Sequence, residues 1–404
     1  PSEPDVLLCN YTDVYNNEFI IDNLDFMKAT ASIEQIKKLS LKKGDVIITK
    51  DSEAADDIAV PALVKENVDN VVCGYHLALI RPDVDIKGDY LFRLLESKQI
   101  NDQFVIAANG VTRFGISTYP IKNSYLMVPS IKEQEKISSF LDKKTSEIDL
   151  TIEKDTRLIE LLKEKRTALI NHVVTKGLDP TVKMKDSGVE WIGEIPKDWK
   201  IMKLKHVVST RITDGPHETP ELLDNGIPFI SADAIKKNKI DFSRMRGFIS
   251  EKDHKKFSIK CKPQRGDVFL IKSGATTGNA AMVETDQEFS IWSPLALIRA
   301  NKTIIFSRLL YYILLSDYFK KLVEISWSYG TQQNIGMGVI ENLNIIIPDI
   351  HEQKYLLDYL EKETLNIDDI IKKIEIKIDL LEEYKKSLIH HVVTGKVDVR
   401  EVAV

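Results

Sequence analysis

Two stretches of this chain set apolar residues at alternating intervals of four and three. The first runs Leu141, Thr145, Ile148, Ile152, Asp155, Ile159, Leu162, Arg166, Leu169 and Val173. The second runs Leu360, Thr364, Ile367, Ile371, Ile374, Ile378, Leu381, Lys385, Leu388 and Val392. Such a repeat keeps one stripe on one side of a helix, the condition for a coiled-coil seam. Each stretch follows a proline and a capping-box spacing, Ser130-x-x-Glu133 and Asp349-x-x-Glu352, in which a side-chain oxygen meets an amide three residues on. We predict continuous helices over 131–176 and 350–395, packed antiparallel. At ~1.5 Å per residue the first reaches roughly 65–70 Å. The polar breaks Thr145/Thr364 and Arg166/Lys385 recur in both and are expected to fix register.

The two stretches are copies. At an offset of 219, residues 129–175 fall on 348–394 without a gap, and 21 of 47 positions are identical, among them Gln134/Gln353 and Asp149/Asp368. Upstream, Gly44-Asp45-Val46 answers Gly266-Asp267-Val268, and LALIR at 77–81 answers LALIR at 295–299. The period is far beyond that of a solenoid, so a domain-plus-helix unit is used twice. The parts between the helices read as short strands (45–49, 76–81, 268–272, 295–299, 343–347) mixed with short helices (90–97, 307–322), which predicts α/β domains. The expected segments are a first domain at 1–129, a helix at 130–177, a second domain at 178–348 and a helix at 349–398. The first domain has no counterpart of residues 186–226, so its beginning is expected to be incomplete.

Composition narrows the class. Of 404 residues, 43% are apolar and 29% charged, which excludes low-complexity and collagen-like chains. No apolar run approaches the ~18 residues of a membrane helix. The three cysteines, Cys9, Cys73 and Cys261, are far apart, which argues against a disulfide framework or a cysteine-built metal site and for a reducing cytoplasm. The net charge of −5 hides an asymmetry: residues 1–128 carry 13 bases and 19 acids, whereas 177–348 carry 24 and 20. Residues 236–272 hold twelve bases against four acids, the sequence signature of a phosphate-facing surface or of a solvated lysine-rich face.

The chemistry that is missing matters as much. There is no G-x-x-x-x-G-K-[ST], G-x-G-x-x-G, H-E-x-x-H or G-x-S-x-G, and no Asn/Asp-Pro-Pro-aromatic pocket for a flipped base. No catalytic residue and no metal site is assigned. What remains are loops suited to a polyanion. Lys272-Ser273-Gly274-Ala275-Thr276-Thr277 offers a cation, hydroxyls and open backbone amides; its first-domain counterpart starts at Lys50. Asp214-Gly215-Pro216-His217 is a further turn, and Arg244 and Arg246 lie in the basic window. Near the domain ends stand Thr112-Arg113 and Thr331-Gln332-Gln333-Asn334, side chains of the types that read guanine and adenine edges.

Taken together, P-x-I-x-E-Q at 129–134 and 348–353, HVVT closing each helix, SGVEWIGEIPKDWK at 187–200, DGPHETP at 214–220 and SGATTG at 273–278 resemble the specificity subunit of type I restriction–modification systems. The resemblance covers essentially the whole chain. It implies a non-catalytic subunit with two similar α/β target recognition domains, separated by two long helices packed as an antiparallel coiled coil with a pseudo-two-fold internal repeat. Each domain would read one half of a bipartite double-stranded DNA site. The helices would set the spacing and dock two methyltransferase subunits, with restriction subunits as further partners. S-adenosylmethionine, ATP and Mg would sit on those partners and no cofactor on this chain. The alternatives from other classes are a coiled-coil scaffold that binds no DNA and a fragment of a fused methyltransferase–nuclease.

Overall fold

The computed structural model describes residues 3–327 and 333–402. Its contacts divide the chain into two compact units, one of Pro1–Arg157 with Lys373–Val404 and one of Leu158–Lys372. Each unit contains one α/β domain together with part of each long helix.

In the first unit, Val46–Thr49 lies inside a four-stranded sheet ordered Phe19–Ile20, Pro61–Val64, Val46–Thr49, Leu77–Ile80. A second sheet sets Asp5–Cys9 between antiparallel Met27–Thr30 and parallel Val71–Cys73. The second unit repeats both. Val268–Ile271 lies between Leu295–Ile298 and Ala280–Met282, and Ile227–Ile230 lies between antiparallel Gly247–Ile249 and parallel Ser290–Ile291. All four residues of Val46–Thr49 and of Val268–Ile271 are buried, as expected for central strands covered on both faces. The second unit adds Thr213–Asp214 beside Leu295–Ile298. Among the described residues, Leu77–Ile80 has no such neighbour.

The duplicated GDV and LALIR motifs meet in each domain. The Arg81 guanidinium donates to both carboxylate oxygens of buried Asp45, at 2.8 and 2.7 Å. Arg299 does the same to Asp267, at 2.7 Å twice. A bidentate pair of this kind satisfies a buried carboxylate, so these motifs are domain staples and not surface contacts.

The long helices span Ile131–Lys176 and Ile350–Val393, close to expectation, and every position of both 4-3 stripes is buried or half-buried. They run antiparallel. In the first unit Lys385 meets Asp149 at 2.8 Å and Lys377 meets Asp155 at 2.8 Å. In the second, Arg166 meets Asp368 at 2.9 Å, while Ile170 and Val173 share a core with Leu356 and Leu360. Arg166 and Lys385 thus act as register elements through acids that are themselves repeat partners, Asp149 and Asp368. Thr145 and Thr364 act differently. Each is bound by its own domain, Thr145 by Arg93 at 3.1 Å and Thr364 by Tyr312 at 3.0 Å.

The glutamine of P-x-I-x-E-Q explains itself in the structure. Gln134 and Gln353 are fully buried. Gln134 Nε2 donates to Asp85 O and Pro129 O at 2.9 Å, and its Oε1 accepts from Lys87 N at 2.8 Å. Gln353 repeats this with Ile304 O, Pro348 O and Phe306 N. One side chain therefore ties the start of each long helix to the loop that opens a domain helix, Gly88–Leu95 or Ser307–Leu315.

Two local expectations fail. Residues 307–322 form two helices, Ser307–Leu315 and Asp317–Ile325. The break comes at Ser316, where Asn171 accepts from Asp317 N and donates to its carboxylate. The capping box forms at Ser130/Glu133 but not at Asp349/Glu352. There Glu352 accepts from the Trp199 indole at 2.8 Å, and Asp349 caps His351 N instead.

Candidate nucleic-acid interface

In the second unit the two candidate loops are joined. Ser273 bridges Asn334, Gly274 N donates to Gln333 O at 3.0 Å, and Thr277 Oγ1 donates to Gly274 O at 2.7 Å. Gly274 has φ of +105°, a left-handed geometry that suits glycine. Thr276, Gln333 and Asn334 are exposed. Thr331 and Gln332 lie outside the described residues.

Lys272, expected to meet phosphate, is buried and paired with Asp214 at 3.2 Å. Asp214 is buried too and also holds Lys260 and His217, the latter at 3.1 Å. Burial alone would raise the Asp214 carboxyl, but the two lysine ammonium groups outweigh it and hold it below its usual range. Gly215 follows because a Cβ there would stand 1.9 Å from Ile291 O. Lys272, Asp214 and Gly215 therefore shape the loops from beneath, while His217 remains mostly exposed.

Pairing also thins the basic window. Lys256, Lys262 and Arg265 meet Glu218, Glu288 and Asp286, acids that lie outside residues 236–272. Arg244 is exposed beside Asp241 at 3.6 Å. Arg246 lies over the Trp292 ring at 4.5 Å and reaches Asp233 at 3.4 Å. An exposed arginine resting on an aromatic plane is pre-oriented for an anion or a base.

The first unit joins its candidate loops by the same logic. Asp51–Ser52 pairs with Phe114–Gly115, and Lys50 O accepts from Ile116 N at 2.9 Å. Thr112 and Arg113 are exposed, and Lys50 Nζ sits 5.4 Å from the Tyr75 ring. A cavity of about 410 Å³ is lined by Thr112, Arg113, Ser52 and the Tyr11 and Tyr15 rings, with Asp51, Glu53 and Asp57. The rings stack at 5.4 Å. Sequence reasoning missed Tyr11, Tyr15 and Trp292; only the i, i+4 spacing of the tyrosines hinted at a shared face. Among the described residues no cluster of His, Cys, Asp or Glu is placed to hold a metal, and no helix is long and apolar enough to cross a membrane.

A family model described as the type I restriction modification DNA specificity domain matches residues 9–162 and 196–380. The type I restriction enzyme MjaVIII specificity subunit of Methanocaldococcus jannaschii is 24% identical over 399 residues, covering 97% of this chain and 87% of that protein. Among solved structures, a chain from a study of complex assembly and conformational transition of the type I R-M system aligns with a TM-score of 0.73 at 16% identity, covering 98% of this chain and 93% of its own. The HsdS subunit from Thermoanaerobacter tengcongensis aligns at 0.56 and 16%, covering 98% and 92%. With the family model matching both repeats and the structural neighbours sharing the fold, this chain belongs to the type I restriction–modification DNA specificity family.

Proposed function

We propose that this chain is the non-catalytic, sequence-reading subunit of a type I restriction–modification enzyme. Its domains, residues 1–129 and 178–348, each read one half of a bipartite double-stranded DNA site. Its helices, 130–177 and 349–398, hold the readers apart and dock two methyltransferase subunits, which bring S-adenosylmethionine. Restriction subunits with ATP and Mg join the same assembly. The observation that carries this reading is the duplicated pairing of two polar loops in each domain, 272–277 with 333–334 and 50–52 with 114–116. In the second domain, Thr276, Thr277, Gln333 and Asn334 reach base edges, Ser273 and Gly274 supply backbone contacts, and Arg244, Arg246 and His217 meet phosphates. In the first, Lys50, Thr112 and Arg113 serve, beside Tyr11 and Tyr15.

The test is a ruler experiment. Four residues are inserted after Glu153 and, to match across the antiparallel pair, after Leu380, and the complex with its methyltransferase is given a DNA library whose gap varies one base pair at a time. Each insertion lengthens a helix by roughly 6 Å, close to two base-pair steps. The half-sequences should stay the same while the preferred gap lengthens by about two. An unchanged gap with well-folded variants overturns the ruler, and changed half-sequences overturn the division of labour.

A further inference from the structure

A short hairpin in the second unit carries three lysines. Ile235 pairs with Ile240 and Lys236 with Lys239, and between them Lys237 and Asn238 have φ of +47° and +61°. Two successive left-handed residues make a type I′ turn, which suits asparagine and glycine but not lysine. The turn is held from beneath. The buried Tyr311 donates its hydroxyl to Asn238 O at 3.0 Å. Ile235 belongs to a core with Phe269 and Phe289, and Ile240 packs against it.

The outward positions run against stability. Lys236 and Lys239 stand directly opposite each other, where like charges repel, and Lys237 is exposed at the tip. Lys236 and Lys239 are exposed too, and among the described residues neither side chain has an ion-pair or hydrogen-bonding partner. An anion seated between the two ammonium groups offsets that repulsion and uses the strained turn as a fixed support.

The place of the hairpin says which anion. The core of the second unit includes Ile170 and Val173 of the first long helix and Leu356 and Leu360 of the second. The hairpin lies further along both helices: Asn238 and Lys239 border a small cavity with Arg166 and Asp368, nearer the middle of each helix. In the first unit the equivalent cross-helix pair, Lys385 and Asp149, borders Asn16, Asn17 and Glu18 instead, and Glu18 meets Lys385 at 2.7 Å. The two faces therefore differ in charge. A protein partner that docks on both repeats alike needs both faces alike, whereas phosphate contacts can be made by one domain alone.

We propose that this hairpin clamps the DNA backbone through Lys236 and Lys239, on phosphates of the unread gap next to the half-site of the second domain. The inference rests on the DNA-reading role proposed above. A duplex that runs from that half-site along the helices passes the side of the domain that faces their middle, and the hairpin stands there.

The experiment uses the 404-residue chain in complex with its methyltransferase, and a duplex carrying the site that the complex methylates in a random library. Lys236→Ala and Lys239→Ala together should flatten the salt slope by about two and weaken binding roughly 10- to 60-fold at ~0.1 M salt, with the half-sequences unchanged. The urea midpoint of this variant should hold or rise, because the like-charge opposition is gone. A lowered midpoint with an unchanged slope makes the lysines structural and overturns the proposal. Methylphosphonates, which remove the phosphate charge, placed in the gap next to the second domain's half-site should weaken the parent about as much as the double substitution does, and leave the variant unaffected. An equal loss from methylphosphonates beyond the outer end of that half-site, with none from those in the gap, overturns the assignment to the gap. An unchanged slope in a folded variant overturns the proposal and leaves the DNA-reading role standing; a parent complex that binds no duplex overturns both. A variant that keeps its DNA affinity but loses the methyltransferase also overturns the proposal, because the surface is then a protein contact.

Discussion

Replacing Gln353 by alanine should strip three hydrogen bonds from a site with no solvent access. Phe306 N, Ile304 O and Pro348 O each lose their partner. A buried polar group left unsatisfied costs about 1–3 kcal/mol, and water entering the space of the lost side chain recovers part of that. A net loss of about 3–5 kcal/mol follows, a large fraction of the ~5–15 kcal/mol that holds a domain. Gln353→Glu separates hydrogen bonding from volume. It keeps the shape and the acceptor for Phe306 N but faces two carbonyl oxygens without a donor, so it should be at least as damaging at neutral pH. Gln134→Ala should cost the same within about 1 kcal/mol, because its three partners are arranged alike. The assays are urea unfolding and hydrogen exchange at the Phe306 and Lys87 amides, where protection should fall by about 10²–10³-fold. A loss below ~0.5 kcal/mol, or unchanged protection at those amides, would refute the reasoning.

Ile371→Asp places a carboxylate in the seam, where Ile371 is 9% exposed, and should cost about 3 kcal/mol or more by denaturation; retained stability and retained methyltransferase assembly would remove the seam from the account. Lys272→Ala should destabilise the second unit by about 1–3 kcal/mol yet leave the salt slope of DNA binding unchanged, whereas Arg246→Ala should flatten that slope by about one; the reverse pattern would put Lys272 on the DNA. Burial pushes Glu96 up to about 7, against the pull of Arg93 and with help from Glu18. Its folded-state value thus lies above its unfolded one, so stability is lost as pH rises from about 4.5 to 7 and stays lost above. Glu96→Gln escapes this, and its stability relative to the parent should climb between pH 5 and 8 by up to about 3 kcal/mol; a pH-independent difference would contradict it.

The long helices were legible because period and repeat spoke together: the 4-3 stripe named the seam residues, and the 219 offset gave Arg166 and Lys385 matching roles. Gln134 was legible as a repeated residue but not as a staple, since its carbonyl partner Asp85 lies far upstream in a loop with no pattern of its own. The break at Ser316 depends on Asn171, a residue of the long helix, and local propensity carries no trace of that. The basic window misled for a similar reason. A count within residues 236–272 cannot see Glu218, Asp286 or Glu288, which fold onto it, nor that Lys272 turns inward to Asp214. Site reading from sequence located the loops that come together but not which side chains face outward.

The cross-helix pairs Lys385–Asp149 and Arg166–Asp368 have a consequence for how such a chain changes over time. Each repeat carries both halves of the code, an acid at 149 or 368 and a base at 166 or 385. A polypeptide with one domain and one long helix would therefore hold everything needed to pair with a second copy of itself. Writing the two copies in one polypeptide keeps that symmetry where pairing requires it and releases it elsewhere. Arg93 can bind Thr145 while its counterpart Tyr312 binds Thr364, and one domain can be acidic while the other is basic. Identical subunits would have to change both sites at once. On the function proposed above, fused ones could revise one half-site and leave the other intact.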